Sequence, residues 1–144
     1  GPRDMSEGKV AVMRRDALWN LENGKTAMSF TPRDEFVSGA SKLLEDIQDS
    51  LYAEARDRRD ANITRGLTEW SEVAEFFRSN GKYPGWVEVQ WAKPTGAALE
   101  KVVEQLKAEK LTVRNVPRDS EAADGTCIFT GEKAVERILV ARAY

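Results

Sequence analysis

The sequence predicts an α+β fold, with a small mixed-sheet domain preceded by a long helix and by the last strands of another unit. One apolar stripe at helical spacing extends over about seven turns, from Pro32 to near Asp60. After residue 60, helical and strand-like patterns alternate, which is typical of a mixed sheet covered by helices. Residues 1–30 are short of helical signals and rich in strand-like ones, which indicates the end of a separate unit.

The first strand is predicted over residues 9–16, where Val10 and Val12 alternate with their neighbours. The dipeptide Asn23-Gly24 predicts a turn. A second extended piece is expected over residues 26–30. Together these signals predict a strand-rich start.

The long helix has a strong start signal. Thr31 is expected as its N-cap, Pro32 as its first residue and Asp34 as the acid of a capping box. Its predicted stripe comprises Phe36, Ala40, Leu43, Leu44, Ile47, Leu51 and Ala55. The helix is expected to end near Asp60.

Six elements are predicted after the long helix. They are a helix from Thr68 to near Asn80, a strand over 86–92, a helix from Thr95, a strand over 111–116, an extended piece over 126–129 and a final strand over 137–144. Pro94 ends the strand before it, and 117–125 is expected to be a polar loop.

Composition excludes several classes of protein. The 144 residues carry a net charge of −2 and contain no histidine and one cysteine. Catalytic triads with histidine, Cys-His nucleophiles and imidazole-ligated zinc are therefore excluded. No apolar run approaches the ~20 residues of a membrane span, and nothing resembles a signal peptide. The composition favours a binding or structural unit over a whole enzyme.

Four basic residues near the predicted first strand are candidates for phosphate contact. They are Arg3, Lys9, Arg14 and Arg15. Acidic residues lie among them, so the same cations also fit a solvated strand edge that discourages aggregation.

The tryptophans and the cysteine each allow two interpretations. The four tryptophans could stack on bases, although their spacings also fit core positions: Trp19, Trp70, Trp86 and Trp91. Cys127 lacks a basic imidazole and a second cysteine, which favours an inert buried thiol over a nucleophile or ligand.

Several segments match one family in order. Gly1-Pro2-Arg3-Asp4, Gly8 and Arg14-Arg15-Asp16 resemble the closing strands of the anticodon-binding domain in class II aminoacyl-tRNA synthetases. Residues 43–55 are similar to the linker helix of prolyl-tRNA synthetases of the archaeal and eukaryotic type. The extra C-terminal domain of that family is matched, in order, by Glu72 to Phe77, Trp91, Glu100, Gly125-Thr126-Cys127 and Val140 to Tyr144.

The resemblance implies a C-terminal fragment of an enzyme that attaches proline to its tRNA, using ATP and magnesium. It implies the end of an anticodon-binding domain over 1–30, a linker helix over 31–60 and a C-terminal α+β domain over 61–144. The catalytic domain would lie upstream, so this part alone is not expected to be catalytic. The parent is expected to be a cytoplasmic homodimer without membrane association.

The resemblance also implies roles for particular residues. Arg3 lies in the motif on the anticodon side, where its planar guanidinium would suit the guanines of proline anticodons. The alternative is a turn arginine in the frayed start of a fragment. Lys9, Arg14 and Arg15 would assist in tRNA binding. Tyr144 would dock toward the catalytic domain, or else pack on its own sheet.

One departure from the family pattern concerns zinc. Many relatives bind zinc in the C-terminal domain through four cysteines, but only Cys127 remains here. Thr130 fills the second place of the C-x-x-C, and the earlier pair should fall near Ala92 and Leu99, so no metal is expected. Packing is expected to hold the region instead, through Ile128, Phe129, Leu139 and Trp91.

A second hypothesis is a free-standing protein-interaction module derived from the same domain. The missing zinc ligands and the near-neutral charge favour it, since a net charge of −2 exerts little long-range attraction on RNA.

Overall fold

The computed structural model describes residues 1–118 and 121–143. The chain divides into two compact units, Gly1–Arg58 and Arg59–Tyr144, which are described separately. Together the two units contain α-helices and β-sheets, one of which is mixed, and this confirms the predicted α+β class.

Unit 1 begins with a short helix, α1 (Pro2–Ser6), followed by the strand β1 (Lys9–Val12). The strand β2 (Ser29–Pro32) pairs with β1 in antiparallel register, from Lys9↔Pro32 to Val12↔Ser29. Arg3 therefore lies on a helix, although the resemblance placed its motif with closing strands. The predicted strand over 9–16 stops at Val12.

The connection between the two strands contains a closed turn. Asn20 N donates to Lys25 O at 2.8 Å, Gly24 N donates to Asn20 O at 2.8 Å, and Ala27 N donates to Leu18 O at 2.9 Å. A single bridge joins Trp19 to Thr26 above this turn. The turn predicted at Asn23-Gly24 is confirmed.

The long helix α2 comprises Arg33–Ala61, so it begins one residue after Pro32, its predicted first residue. Thr31 and Pro32 belong to β2, where they pair with Val10 and Lys9, so the N-cap assignment to Thr31 was wrong. Pairing with β1 satisfies the backbone of this segment, and that tertiary gain overrides the local capping signal. The predicted end of the helix near residue 60 is confirmed.

The predicted stripe of α2 is only partly buried. Ile47 is buried, and the half-buried members are Phe36, Ala40, Leu43 and Leu51. Leu44 and Ala55 are exposed, so they do not belong to the buried face.

Unit 2 builds a four-stranded mixed sheet in the order β3-β4-β6-β5. Its elements are β3 (Ile63–Thr64), α3 (Trp70–Ser79), β4 (Trp86–Trp91), α4 (Gly96–Ala108), β5 (Leu111–Asn115) and β6 (Glu136–Arg142). The pair β3–β4 is parallel, whereas β6 runs antiparallel to both β4 and β5. The segment 126–129, expected to be extended, forms a turn, and only Thr126 makes a bridge, to Lys133.

The start of α3 is capped by an acidic side chain. The Glu72 carboxylate accepts hydrogen bonds from Thr68 N at 2.8 Å and from Glu69 N at 3.1 Å. These two backbone donors lower the pKa of Glu72, because they stabilise the charged carboxylate. The cap fixes where the helix begins and which face it presents to the sheet.

The core of unit 2 lies between the sheet and its two helices. Val87, Val89 and Trp91 alternate along β4 and are buried, as expected for one face of a strand. They pack with side chains from the helices and the other strands: Val73, Phe77, Val102, Leu106, Leu111, Ile138 and Val140.

Candidate nucleic-acid interface

The four cations predicted to bind tRNA all lie in unit 1. Arg3 is on α1, Lys9 begins β1, and Arg14 and Arg15 follow the end of that strand. The Arg3 side chain is 87% exposed, so its guanidinium is open to a ligand.

Glu7 holds two of these cations. Its Oε1 accepts from Arg3 Nε at 3.0 Å, and its Oε2 accepts from Lys9 Nζ at 3.1 Å. The hydrogen bond from Arg3 is the main reason that the pKa of Glu7 lies below its usual value, and Lys9 adds to the effect. Glu7 thus draws Arg3 and Lys9 together and competes with any anion for them. The sequence alone does not reveal the contact between Glu7 and Arg3, because it depends on the i,i+4 geometry of α1.

Arg14 forms a bidentate ion pair with Asp16. Its Nε donates to Asp16 Oδ1 at 3.1 Å, and its Nη2 donates to Asp16 Oδ2 at 2.7 Å. The hydrogen bond from Arg14 is the largest cause that lowers the pKa of Asp16 to about 2. The Asp16 side chain is only 3% exposed, so this pair fixes the chain direction after β1. Within the described residues, the neighbouring Arg15 has no acidic partner and is exposed.

Charge is unevenly distributed along the chain. Residues 9–33 contain five Lys and Arg against two Asp and Glu, whereas the whole chain has 22 against 24. In unit 2 several cations are paired internally: Arg137 with Glu88 at 3.4 Å and Lys93 with Glu136 at 3.2 Å. Arg78 likewise pairs with Glu109. The segment 9–33 therefore has a local excess of positive charge that suits a polyanion.

The tryptophans divide into two groups. Trp91 is buried, and Trp70 packs against the core with its ring 5.2 Å from that of Phe129. Trp86 is 36% exposed at the start of β4. Trp19, in contrast, is 62% exposed, so the core interpretation was wrong for this residue. Trp19 lies in the connection between β1 and β2, outside the named helices and strands.

Cys127 starts a second closed turn in unit 2. Cys127 N donates to Glu132 O at 2.8 Å, Gly131 N donates to Cys127 O at 2.9 Å, and Ala134 N donates to Gly125 O at 2.9 Å. These three bonds repeat those of the turn at Asn20–Gly24, position for position. The Cys127 thiol is buried in the core of unit 2.

The residues around Cys127 do not fit a zinc ion. Tetrahedral structural zinc needs four ligands, and the sequence has one cysteine, Cys127, and no histidine. Across residues 1–118 and 121–143, no group of three or more His, Cys, Asp or Glu side chains is arranged to hold a metal.

Aromatic packing occupies the region beside this turn. The Phe129 ring meets Trp91 edge to face at 5.6 Å, and Ile128 also packs against the core. Leu139 is buried too, but its neighbours Ile138 and Val140 are the ones that face this core. Leu139 therefore takes no part in packing on this side of the sheet.

The last described residues are anchored to unit 2. Ala143 N donates to Lys110 O at 2.8 Å, Arg114 donates to the Arg142 carbonyl, and Arg142 donates to the Phe77 carbonyl. Tyr144, predicted to dock toward a catalytic domain, lies outside the described residues. Among those that are described, no helix combines the length and apolar character that a membrane span requires.

Several proline–tRNA ligases are similar to this chain over its full length. A proline–tRNA ligase of Sphingopyxis alaskensis is 55% identical over 144 residues, which are 100% of this chain and 27% of the relative. A proline–tRNA ligase of Erythrobacter litoralis is 47% identical over 100% of this chain and 28% of its own. The one from Bdellovibrio bacteriovorus is 35% identical over 100% and 27%. No family model matches the chain.

Solved structures show the same fold. A prolyl-tRNA synthetase of Cryptosporidium parvum, complexed with halofuginone and AMPPNP, has a TM-score of 0.71 at 23% identity; the match covers 100% of this chain and 27% of that one. A prolyl-tRNA synthetase of Giardia lamblia, in complex with prolyl-adenylate, has a TM-score of 0.70 at 18% identity, over 100% of this chain and 28% of that one.

The named relatives are all aminoacyl-tRNA ligases. Along its full length, the chain is similar to the C-terminal region of prolyl-tRNA synthetases, which are longer proteins. It spans about 27% of the length of the curated relatives that it matches.

Proposed function

We propose that this chain is the C-terminal part of a proline–tRNA ligase, in which unit 1 contributes to tRNA anticodon binding and unit 2 supports the catalytic core. The whole protein would attach proline to its tRNA, using ATP and magnesium bound by an upstream catalytic domain. It would act as a homodimer in the cytoplasm. The observation that carries the tRNA role is the exposed Arg3, which Glu7 holds beside Lys9 at the start of the basic segment 9–33.

Arg3 would contact a guanine edge of the proline anticodon. A planar guanidinium can donate two parallel hydrogen bonds to the O6 and N7 atoms of guanine. Glu7 pairs with this side chain in the free protein and would release it when the base arrives. Lys9, Arg14 and Arg15 would contact the neighbouring phosphates, with Arg14 kept in place by Asp16.

Arg3→Ala in the full-length enzyme should raise the KM for tRNA by about 5- to 150-fold, since one bidentate base contact contributes ~1–3 kcal/mol. The rate of proline-dependent ATP–pyrophosphate exchange should not change, because that step needs no tRNA. Glu7→Gln should lower the KM for tRNA by up to about fivefold. It removes the carboxylate charge that competes with tRNA for Arg3 in an exposed ion pair.

Lys101→Ala is the matched control, since it removes one exposed cation from α4 of unit 2. Its KM for tRNA should stay at the wild-type value. An unchanged KM in Arg3→Ala would remove this residue from the interface. Equal increases in Arg3→Ala and Lys101→Ala would reduce the contact to non-specific charge attraction.

We also propose that unit 2 folds without zinc, because Cys127 alone cannot complete a tetrahedral site. Dialysis against a chelator should leave the unfolding temperature unchanged. Elemental analysis of the untreated protein should return far less than one zinc per chain. A stoichiometric zinc content, or a lower unfolding temperature after chelation, would contradict this proposal.

A further inference from the structure

Trp19 exposes a large aromatic surface that has no packing role in unit 1. Its side chain is 62% exposed, and the Phe30 side chain on β2 is 56% exposed. An indole left in water loses the free energy that burial would give, roughly 25 cal/mol per Å² of apolar surface. Within the described residues of unit 1, Trp19 therefore takes no part in a hydrophobic core.

The turn that carries Trp19 is closed by its own hydrogen bonds. Besides the three backbone bonds, Asn20 Oδ1 accepts from Glu22 N at 2.9 Å and Asn23 Oδ1 accepts from Lys25 N at 3.0 Å. Such a turn has little freedom to lose when a ligand binds, so it lowers the entropic cost of binding.

Turn geometry alone does not require the exposure of apolar side chains. In the equivalent turn of unit 2, Ile128 and Phe129 occupy the two positions after Cys127 and pack against the core. At the first of these positions in unit 1, Leu21 is 98% exposed. The same backbone therefore serves packing in one unit and presents side chains to solvent in the other.

The chemistry around Trp19 favours a nucleic acid over an apolar protein surface. The segment 9–33 has five cations against two acids, including Arg15 and Lys25 close to Trp19 in sequence. The two Asn side chains use their oxygens within the turn, and their amide nitrogens remain as donors for base edges or phosphates. An exposed aromatic ring among cations and amides is the usual composition of a site for unpaired bases.

We propose that Trp19 is a stacking platform for an unpaired nucleobase of the bound tRNA, and that Arg15 and Lys25 contact the flanking phosphates. This inference rests on the proposed tRNA-binding function and adds a second contact to it. The two contacts lie at opposite ends of the hairpin. Arg33 N donates to Gly8 O next to α1, whereas Ala27 N donates to Leu18 O next to Trp19. Arg3 and Trp19 would therefore reach different nucleotides.

The test measures binding of the 144-residue chain to a proline tRNA transcript by fluorescence anisotropy, over a series of salt concentrations. Trp19→Ala should weaken binding by about 5- to 150-fold, because base–aromatic stacking contributes ~1–3 kcal/mol per base. Trp19→Phe should retain most of the affinity, because it keeps an aromatic face. The slope of affinity against salt should not change in either variant, because no charge is removed.

Leu21→Ala is the matched control, from the same turn and more exposed than Trp19. It should bind within about twofold of the wild type, since aliphatic side chains do not stack on bases. Circular dichroism of each variant checks that unit 1 remains folded. Equal losses in Trp19→Ala and Leu21→Ala would indicate a general apolar contact, as with a protein partner, and would overturn the proposal.

Two further outcomes separate the stacking platform from the proposed function. If Arg3→Ala weakens binding while Trp19→Ala binds as the wild type does, the stacking proposal is wrong and the tRNA-binding role stands. If the wild-type chain does not bind the transcript at low salt, the tRNA-binding role of this chain fails, and the stacking platform fails with it.

Discussion

Gly85→Ala is expected to lower the free energy of unfolding of unit 2 by about 2–5 kcal/mol. Gly85 has φ +86°, where an L side chain costs ~1–2 kcal/mol. A Cβ atom there would also lie less than 3.0 Å from the backbone oxygen of Asn62, and steric overpacking adds ~1–3 kcal/mol. That oxygen accepts the hydrogen bond from Trp86 N at 2.9 Å, where β3 meets β4. The clash therefore cannot be relieved without separating the two strands.

Gly81→Ala provides the comparison for this experiment. Gly81 has φ +71°, but no atom lies within 4 Å of the position of an added Cβ. Only the backbone cost of ~1–2 kcal/mol should appear. Urea unfolding followed by far-ultraviolet circular dichroism gives both values. Equal losses in the two variants would show that the approach of Asn62 to Gly85 is not a tight constraint.

Phe77→Ala should cost about 3–5 kcal/mol, the range for removing a large aromatic side chain from a core. Phe77 is 1% exposed, and its ring meets Phe76 edge to face at 5.3 Å. It lies on α3 and is one of the buried residues that form the core of unit 2. Small domains are stable by only ~5–15 kcal/mol, so a large fraction of unit 2 molecules should unfold on moderate heating.

The same variant tests what unit 2 does in the full-length enzyme. If unit 2 supports the catalytic core, Phe77→Ala should reduce proline-dependent pyrophosphate exchange at elevated temperature while the KM for tRNA changes little. Phe76→Ala is the control, because Phe76 is only partly buried and should cost less. Normal exchange in a variant whose unit 2 is demonstrably unfolded would contradict the supporting role.

Long periodic patterns made most of the fold predictable. The stripe of α2 and the alternation of Val87, Val89 and Trp91 in β4 each extend over several repeats. The burial of one face of β4, and of Ile47 on α2, follows from strand and helix geometry. The two-residue strand β3 carries no comparable signal, since its pairing depends on Asn62 and Trp86 meeting across the fold.

The errors come from places where tertiary pairing overrides a local signal. Thr31 and Pro32 have good capping chemistry, but pairing with β1 places them in a strand. Residues 126–129 have apolar character suited to a strand, yet the hydrogen bonds of Cys127 and Gly131 close them into a turn. For the interface, basic residues are visible in the sequence, whereas the position of Glu7 between Arg3 and Lys9 depends on the short helix α1.

The paired turns at Asn20–Gly24 and Cys127–Gly131 have an evolutionary consequence. Both close with the same backbone hydrogen bonds, although one begins with an amide side chain and the other with a thiol. The backbone path of the loop therefore tolerates different side chains at its first and fourth positions. A lineage can exchange these side chains one substitution at a time while the loop keeps its backbone hydrogen bonds. The same tolerance makes either loop a practical place to graft a pair of new side chains.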